Sequence, residues 1–329
     1  MFGPLEELSH QSGLTDIAVT CEGRVWIDCG RGMAEYHPAV PFRSPQVVRE
    51  YATQLCAQLG KRLDDACPIA DASSVEGIRV HAVIAPLVPT GASISIRFPS
   101  LVMPCLADLG TQGLFPAPWF PLLCALVSRH ATILITGNTG AGKTTLLKAL
   151  LSQADPTERV VSVEEVRELG MLGRGNHVAL VAREANVEGA GAIGLPDLVK
   201  ATLRMRPDRI ILGECRGEEI ADLLRAFNSG HHGGMATLHA DGVDRVPSRL
   251  VSLGLLAGLN REALTMLAAG AFDVVLHLER RHGKRRIVEI GRLTADPEHF
   301  SGESVATWDG TGLPVPAPAW VPFVSRWME

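Results

Sequence analysis

The alternation of apolar and polar residues changes character about a third of the way along the chain. Before that point, four segments alternate as half-buried strands do: residues 16–20, 25–28, 77–85 and 93–98. One helical pattern separates the second from the third and begins at Ser44-Pro45, a pair suited to the start of a helix. The pattern predicts a small α+β domain over residues 1–100.

Beyond residue 130, short β-branched runs such as TILIT and RIILGE alternate with amphipathic helical stretches such as EEIADLLRAF. This rhythm predicts βαβ units and therefore an α/β domain, a mostly parallel sheet with helices on both faces. We assign it to residues 121–293, after a linker at 101–120 that contains Pro and Gly. Residues 294–329 are predicted to be a tail rich in Pro and Trp, either packed as a strap on the body or docking a partner.

Composition narrows the class of protein. With 329 residues, 46% hydrophobic and 20% charged, the chain is long and apolar enough for two folded domains. The net charge of −5 argues against nucleic acid binding through bulk charge. Seven widely spaced cysteines without a CxxC pair predict reduced thiols, as in a cytoplasmic protein. We expect no secretory signal and no membrane span, because prolines and charges interrupt the most apolar stretch.

Residues 137–144, GNTGAGKT, carry the pattern G-x-x-x-x-G-K-[ST] between a strand-like and a helix-like segment. Glycines let successive backbone N–H groups point at phosphate oxygens, and a helix N-terminus adds partial positive charge. The segment therefore predicts a nucleoside triphosphate site in which Lys143 reaches the β- and γ-phosphates and the Thr144 hydroxyl ligates Mg²⁺. The predicted nucleotide-binding residues of this loop are Gly137, Asn138, Thr139, Gly140, Ala141, Gly142, Lys143, Thr144 and Thr145.

Together with this loop, three further segments resemble the secretion or traffic ATPases of the type II and type IV secretion superfamily, in particular the CpaF/TadA ATPases of tight-adherence (Flp) pili. RVVSVEEVREL resembles the acidic "Asp box", LRMRPDRIILGECRG the Walker B strand, and GHHGGMATLHA the "His box" of that family. The resemblance covers about residues 133–278, and more faintly the segment SISIRF. It implies that the α/β domain is RecA-like.

The resemblance also implies roles for acidic residues. Glu164 matches the glutamate of the Asp box and Glu214 that of the Walker B strand, so both are expected to be catalytic, and Glu214 to organise the metal with Thr144. Glu165 stands where the family has aspartate, which leaves its role open. The plainer interpretations are acids that favour the next helix N-terminus and a salt-bridged strand end.

Histidines and arginines are assigned in the same way. His231 and His239 match the two histidines of the His box, with a contact to the γ-phosphate implied; a zinc site, or histidines satisfied by backbone carbonyls, are the alternatives. Arg183 and Arg97 match family arginines near the nucleotide, whereas the alternative for each is a surface salt bridge. The basic run at 279–286 is predicted to be the solvated tip of a hairpin, and the alternative is a patch that contacts nucleic acid or another anionic surface.

The resemblance implies a Mg²⁺-dependent ATPase that uses ATP and assembles as a homohexameric ring. Such a ring would lie in the cytoplasm, bind an inner-membrane platform protein and power pilus assembly or type II/IV secretion. Two alternatives stay open at this stage: a RecA-like DNA motor or helicase, and a regulatory subunit that binds nucleotide without turnover.

Overall fold

The computed structural model describes residues 2–11, 13–30, 32–99, 103–170, 172–173, 175–183, 185, 190–281, 283–295 and 299–329. The chain divides into two compact units. Unit 1 comprises Met1–Val102 and Val166–Met171, and unit 2 comprises Met103–Glu165 and Leu172–Glu329. A short segment after Glu165 therefore belongs to the first unit, although the sequence predicts it within the second domain.

Unit 1 contains a six-stranded sheet in the order β3-β2-β1-β6-β5-β4, in which all neighbouring strands are antiparallel. A 3-10 helix, Gly3–His10, precedes it. The elements are β1 (Asp16–Val19), β2 (Val25–Asp28), β3 (Met33–Tyr36), α1 (Pro45–Gln58), β4 (Ile69–Ser73), β5 (Arg79–Ile84) and β6 (Ala92–Arg97).

Helix α1 covers one face of this sheet. It begins at Pro45 because the Ser44 side chain accepts a hydrogen bond from the Val47 N–H, as in a standard N-cap. Its buried residues, such as Leu55, pack with the inward residues of the strands, such as Ile94, in one core. The small α+β unit predicted from the sequence is confirmed.

Unit 2 is built on a nine-stranded sheet in the order β15-β14-β13-β12-β7-β11-β10-β8-β9. The strands from β12 to β9 are parallel, and β13, β14 and β15 are added antiparallel at one side. The strands are β7 (Ile133–Gly137), β8 (Val160–Glu164), β9 (His177–Val181), β10 (Arg209–Cys215), β11 (Met235–Leu238), β12 (Val274–Arg281), β13 (Lys284–Ala295), β14 (Phe300–Thr307) and β15 (Val315–Pro316).

Helices cover this sheet in two groups. The elements α2 (Leu106–Thr111), α3 (Trp119–Ser128), α4 (Lys143–Leu151) and α9 (Trp320–Met328) form one set of contacts. The other set is α5 (Leu195–Thr202), α6 (Glu219–Asn228), α7 (Val246–Leu256) and α8 (Arg261–Ala268), with a 3-10 turn at Val243–Arg245. Leu134 lies in the core of the second group, and its neighbours Ile133 and Ile135 are equally buried, so both faces are covered. The predicted α/β fold is confirmed.

Two predicted segments have more structure than expected. Helix α2 and the start of α3 lie within residues 101–120, where the sequence predicts a linker. Residues 294–329 contain β14, β15 and α9, with Trp308 and Trp327 buried. Strand β14 pairs with the backbone groups of β13 that would otherwise be unpaired at the side of the sheet, and it thereby extends the sheet.

Within the described ranges, no helix combines the length and the apolar character that crossing a bilayer requires.

Candidate nucleotide-binding site

The glycine-rich loop lies between β7 and α4, in the order of strand, loop and helix that its motif requires. Gly142 caps α4 with φ 101°, a conformation that favours glycine. Gly137 has φ 144°, and a Cβ there would overlap the carbonyl oxygen of Leu278 on β12. The loop is therefore packed tightly against the neighbouring strand, and a side chain at position 137 would displace it.

Lys143 opens α4 and is only 8% exposed. Its Nζ donates to the carbonyl oxygens of Gly137 at 2.8 Å and Asn138 at 3.2 Å. The ammonium group therefore lies over its own loop, where the glycine-rich backbone surrounds it. This is the position from which a lysine can bind phosphate oxygens.

Three successive strands on one side of β7 deliver polar side chains to the same edge of the sheet. Leu238, the last residue of β11, pairs with Thr136, so that His239 emerges beside the loop. Strand β10 lies next to β11 and carries Glu214, and β8 lies next to β10 and ends at Glu164. Since these strands are parallel, their carboxyl ends form one crevice at the edge of the sheet.

A connected set of polar contacts crosses this crevice. Lys143 Nζ lies 3.3 Å from His239 Nε2, which lies 2.5 Å from Glu214 Oε1. Arg216 Nη2 binds Glu214 Oε2 at 2.5 Å, and its Nη1 binds Glu165 Oε2 at 3.0 Å. The structure thus brings together Lys143, His239 and Glu214, as the sequence predicts, and gives Glu165 an arginine partner.

His239 is uncharged at neutral pH. Burial lowers the pKa of its imidazole, and the positive charge of Lys143 lowers it further, against the opposing effect of Glu214. A neutral ring that carries its proton on Nε2 donates to Glu214 and leaves Nδ1 to accept from Lys143, 3.5 Å away. His239 can therefore couple the lysine to the carboxylate.

Glu164 lies at the end of β8 and is 2% exposed. A Cβ on Gly213, in the adjacent strand, would come within 3.0 Å of Glu164 Cγ. The Gly-Glu order at 213 and 214 is therefore structural: the glycine makes room for the buried carboxylate of the next strand.

Three further predicted residues make local contacts of their own. His231 precedes β11 at the opposite, amino edge of the sheet, where its Nδ1 lies 3.2 Å from the Ala226 carbonyl oxygen, as in the carbonyl-satisfied alternative. Arg183 donates from Nε to the Gly191 carbonyl at 2.6 Å, within its own loop. Arg97 belongs to unit 1 and binds Asp16 at 3.3 Å, with a 68% exposed side chain, so its predicted role near nucleotide stays a prediction.

The structure adds residues that sequence reasoning missed. His277 on β12 is buried, with Nδ1 2.9 Å from Thr136 Oγ1, and burial lowers its pKa. In the sequence, its position within the strand-like segment FDVVLHLE is the only feature that could have pointed to this residue. Arg280 and Arg285 of the basic hairpin approach the glycine-rich loop, although the sequence predicts a solvated tip. The hairpin itself is confirmed by the pairing of β12 with β13.

The donors in the crevice suit magnesium. Thr144, half-buried in the first turn of α4, has a hydroxyl, and Glu214 has a carboxylate, and oxygen ligands of this kind are the ones that Mg²⁺ prefers. Among the residues that the structure describes, no three His, Cys, Asp or Glu side chains are grouped so that they could hold a metal ion.

Comparison with known proteins identifies the family. The model of the family "Type II/IV secretion system protein" matches residues 1–296. The chain belongs to this family. It is 43% identical over 299 residues to a Mycobacterium tuberculosis (strain H37Rv) protein named as a conjugal transfer protein, covering 88% of this chain and 84% of that protein.

A second relative is the type IV secretion system protein PtlH of Bordetella pertussis, 32% identical over 315 residues, which cover 86% of this chain and 91% of PtlH. Among solved structures, the pilus retraction motor PilT with bound ADP aligns with a TM-score of 0.59 over 87% of this chain and 81% of PilT. At 18% identity, this likeness supports the fold alone.

Proposed function

We propose that this family member is a Mg²⁺-dependent ATPase. The observation that carries the proposal is the contact path from Lys143 through His239 to Glu214, at the sheet edge where the glycine-rich loop begins. A lysine that binds phosphate and a carboxylate that orients water are parts that hydrolysis of a γ-phosphate uses, and in this chain the neutral His239 connects them.

In the proposed reaction, the loop amides and Lys143 bind the β- and γ-phosphates of ATP. Glu214 orients the attacking water and accepts its proton, so that the products are ADP and inorganic phosphate. Arg216 holds one carboxylate oxygen of Glu214 at 2.5 Å and His239 lies 2.5 Å from the other, which fixes the carboxylate plane. Glu164, buried beside Gly213, is the second candidate for positioning this water.

Thr144 and Glu214 are the residues that would hold Mg²⁺, which when bound neutralises negative charge on the phosphates. Arg97 and Arg183 remain proposed contributors to phosphate binding, each by a guanidinium that can bind phosphate in a bidentate manner.

We further propose that the chain assembles as a homohexameric ring in the cytoplasm, bound to an inner-membrane platform protein. Hydrolysis in this ring would power type II/IV secretion or pilus assembly. Family membership supports this, as do relatives named as type IV secretion and conjugal transfer proteins. Within the family we propose the CpaF/TadA branch, supported by the sequence segments that resemble it.

The test is phosphate release by the purified full chain with Mg²⁺ and ATP. Lys143→Ala should lower the rate at least about a hundredfold, because the charge that binds the γ-phosphate is lost. Lys284→Ala, an exposed lysine of the β12–β13 hairpin, is the matched control and should stay within about twofold of wild type. Equal rates in all three proteins would overturn the ATPase proposal. Electron microscopy with ATP should show six-fold rings.

A further inference from the structure

Two arginines face each other on the β12–β13 hairpin. Arg280 pairs directly with Arg285 across the antiparallel ladder. Like charges at directly opposed positions destabilise a strand pair, so the hairpin gains nothing in its own stability from this arrangement. The nearby Glu279 is engaged by Arg281, and within the described part of the chain no carboxylate oxygen lies within ion-pairing distance of Arg280 or Arg285. The pair is therefore suited to an anion from outside.

Both side chains lie against the glycine-rich loop. Arg285 Nε donates to the Gly140 carbonyl at 3.0 Å, and its Cδ would lie 3.1 Å from a Cβ on Gly142. Arg280 Nη1 would lie 3.7 Å from a Cβ on Gly140. The two guanidinium groups thus reach the loop from the side of β12 and β13, while Lys143 occupies its interior.

The contact of Arg285 continues to Lys143. The carbonyl and the N–H of one peptide unit point in opposite directions, so holding the Gly140 carbonyl also orients the Ala141 N–H. That N–H donates to the Asn138 carbonyl at 3.1 Å, and the same carbonyl accepts from Lys143 Nζ at 3.2 Å. Arg285 therefore helps to hold the turn on which the Lys143 ammonium rests.

Arg280 faces open space beside the same loop. It lines a cavity of about 340 Å³ together with Asn138, Thr139, Asp241, His277 and Glu279. Among the described residues that line this cavity, Arg280 is the one with a permanent positive charge, and it lies beside the loop's first two variable positions, Asn138 and Thr139. Guanidinium groups bind phosphate through paired hydrogen bonds, which a lysine cannot reproduce.

We propose that Arg280 and Arg285 form a binding pair for the polyphosphate of the bound nucleotide, contacting it from the hairpin, and that Arg285 also positions Gly140. This inference rests on the proposed function, because it requires a nucleotide in the glycine-rich loop. It adds to the site two arginines supplied by the same chain, from a segment that the sequence predicts as a solvated tip.

The hairpin provides its own control. Side chains alternate between the two faces of a strand. Lys284 and Arg286, the neighbours of Arg285, line a different cavity of about 460 Å³ with Phe115 and Trp308. Lys284→Ala thus removes one positive charge from the same hairpin without touching the loop.

The experiment measures dissociation constants of the full chain with Mg²⁺ for a non-hydrolysable ATP analogue and for inorganic pyrophosphate. Arg280→Ala and Arg285→Ala should each weaken binding of both probes about tenfold, the value of one charge-assisted hydrogen bond. Arg285→Lys should recover part of the loss, and Lys284→Ala should change neither constant more than about twofold. Arg280→Ala should not lower the Tm of the nucleotide-free protein, because it relieves a like-charge contact.

Wild-type affinity for both probes in Arg280→Ala and Arg285→Ala would overturn the inference. So would a loss equal to that of Lys284→Ala, or a loss confined to the ATP analogue, since pyrophosphate carries only the group that the arginines are proposed to bind. If these variants bind normally while Lys143→Ala still abolishes hydrolysis, the inference fails and the proposed function stands. If the wild type binds neither probe, both fail.

Discussion

The large sheet of unit 2 places an arginine, a glutamate and a histidine together at each of its two edges, but the two sets are partnered differently. At the amino edge, Arg209 is buried, with a side chain 0% exposed. It binds Glu158, which also lies 3.1 Å from His130, and it donates to the carbonyl oxygens of Val127 and Gly233. Its hydrogen bonds all go to fixed groups of the fold.

At the carboxyl edge, Arg216 is 54% exposed and binds Glu214, whose other oxygen faces His239. Here the histidine also faces Lys143, the residue that the loop surrounds. At the amino edge, the three residue types thus connect secondary-structure elements to one another. At the carboxyl edge, the same three types converge on the glycine-rich loop. The comparison teaches that a fully buried arginine with all its partners fixed in the fold marks a structural set, whereas a half-exposed arginine in a set that converges on the glycine-rich loop marks a functional one.

The largest effect should come from Glu214→Gln. This change keeps the size and one hydrogen-bonding oxygen but removes the base, so phosphate release should fall about 10²- to 10⁴-fold. Unfolding free energy from urea titration should change by less than about 1 kcal/mol, because the Arg216 partner is exposed. A variant that loses stability as much as activity would place Glu214 with the structural set.

Arg209→Met should produce the opposite result. Breaking a buried ion pair by removing one partner costs about 3–5 kcal/mol, since the Glu158 charge remains with little exposure. Urea unfolding should show this loss, while the phosphate release of the molecules that remain folded stays near wild type. Arg216→Met is the matched control, with an expected loss below about 1 kcal/mol. Equal losses of unfolding free energy in the two variants would contradict the proposed difference between the amino and carboxyl edges.

The next prediction concerns pH. The pKa of His239 is lowered below its ordinary value of 6.5, so the ring is neutral above that pH and becomes charged only as the pH falls through the lowered pKa. Charging it places a cation against Lys143. Phosphate release should therefore be flat from pH 8 to 6.5 and then fall at most about tenfold per pH unit. In His239→Gln this acid limb should disappear; if it persists, another group sets it.

The smallest effect is expected from His231→Ala. Its ring contacts the Ala226 carbonyl at the amino edge, so phosphate release should remain within about twofold and unfolding free energy within about 1 kcal/mol. The matched variant is His239→Ala, which should lower phosphate release clearly more. Comparable losses of phosphate release in the two variants would contradict this prediction and indicate that His231 contributes to the nucleotide-binding site.

What the sequence could predict depends on distance along the chain. The glycine-rich loop is a local feature: strand, turn and helix are contiguous, so residues 137–144 carry their own structural context. His231 and His239, the two histidines of GHHGGMATLHA that the motif predicts for the site, lie at opposite edges of the sheet because β11 runs between them. A motif match gives the spacing of the two histidines along the chain but not the direction of the strand that separates them.

Contacts between remote segments were out of reach. The hydrogen bond from Arg285 to Gly140 joins positions separated by 145 residues, and the hydrophobic periodicity of neither segment predicts this contact. The fit of Gly213 against Glu164 likewise depends on the adjacency of β10 and β8, which follows from sheet order. Alternation predicts strands, but their order in the sheet decides which side chains meet.

The two-sided β12–β13 hairpin constrains how this segment can diverge. Inserting or deleting one residue between 281 and 285 would shift β13 by one position relative to β12. Arg285 would then move to the face that carries Trp308, and a neighbouring residue would take its place beside the glycine-rich loop. Point substitutions at the tip leave that phase intact. Among chains descended from a common ancestor with this one, variation at the tip should therefore be narrow in length and wider in residue type, except at Gly283, whose φ of 78° favours glycine.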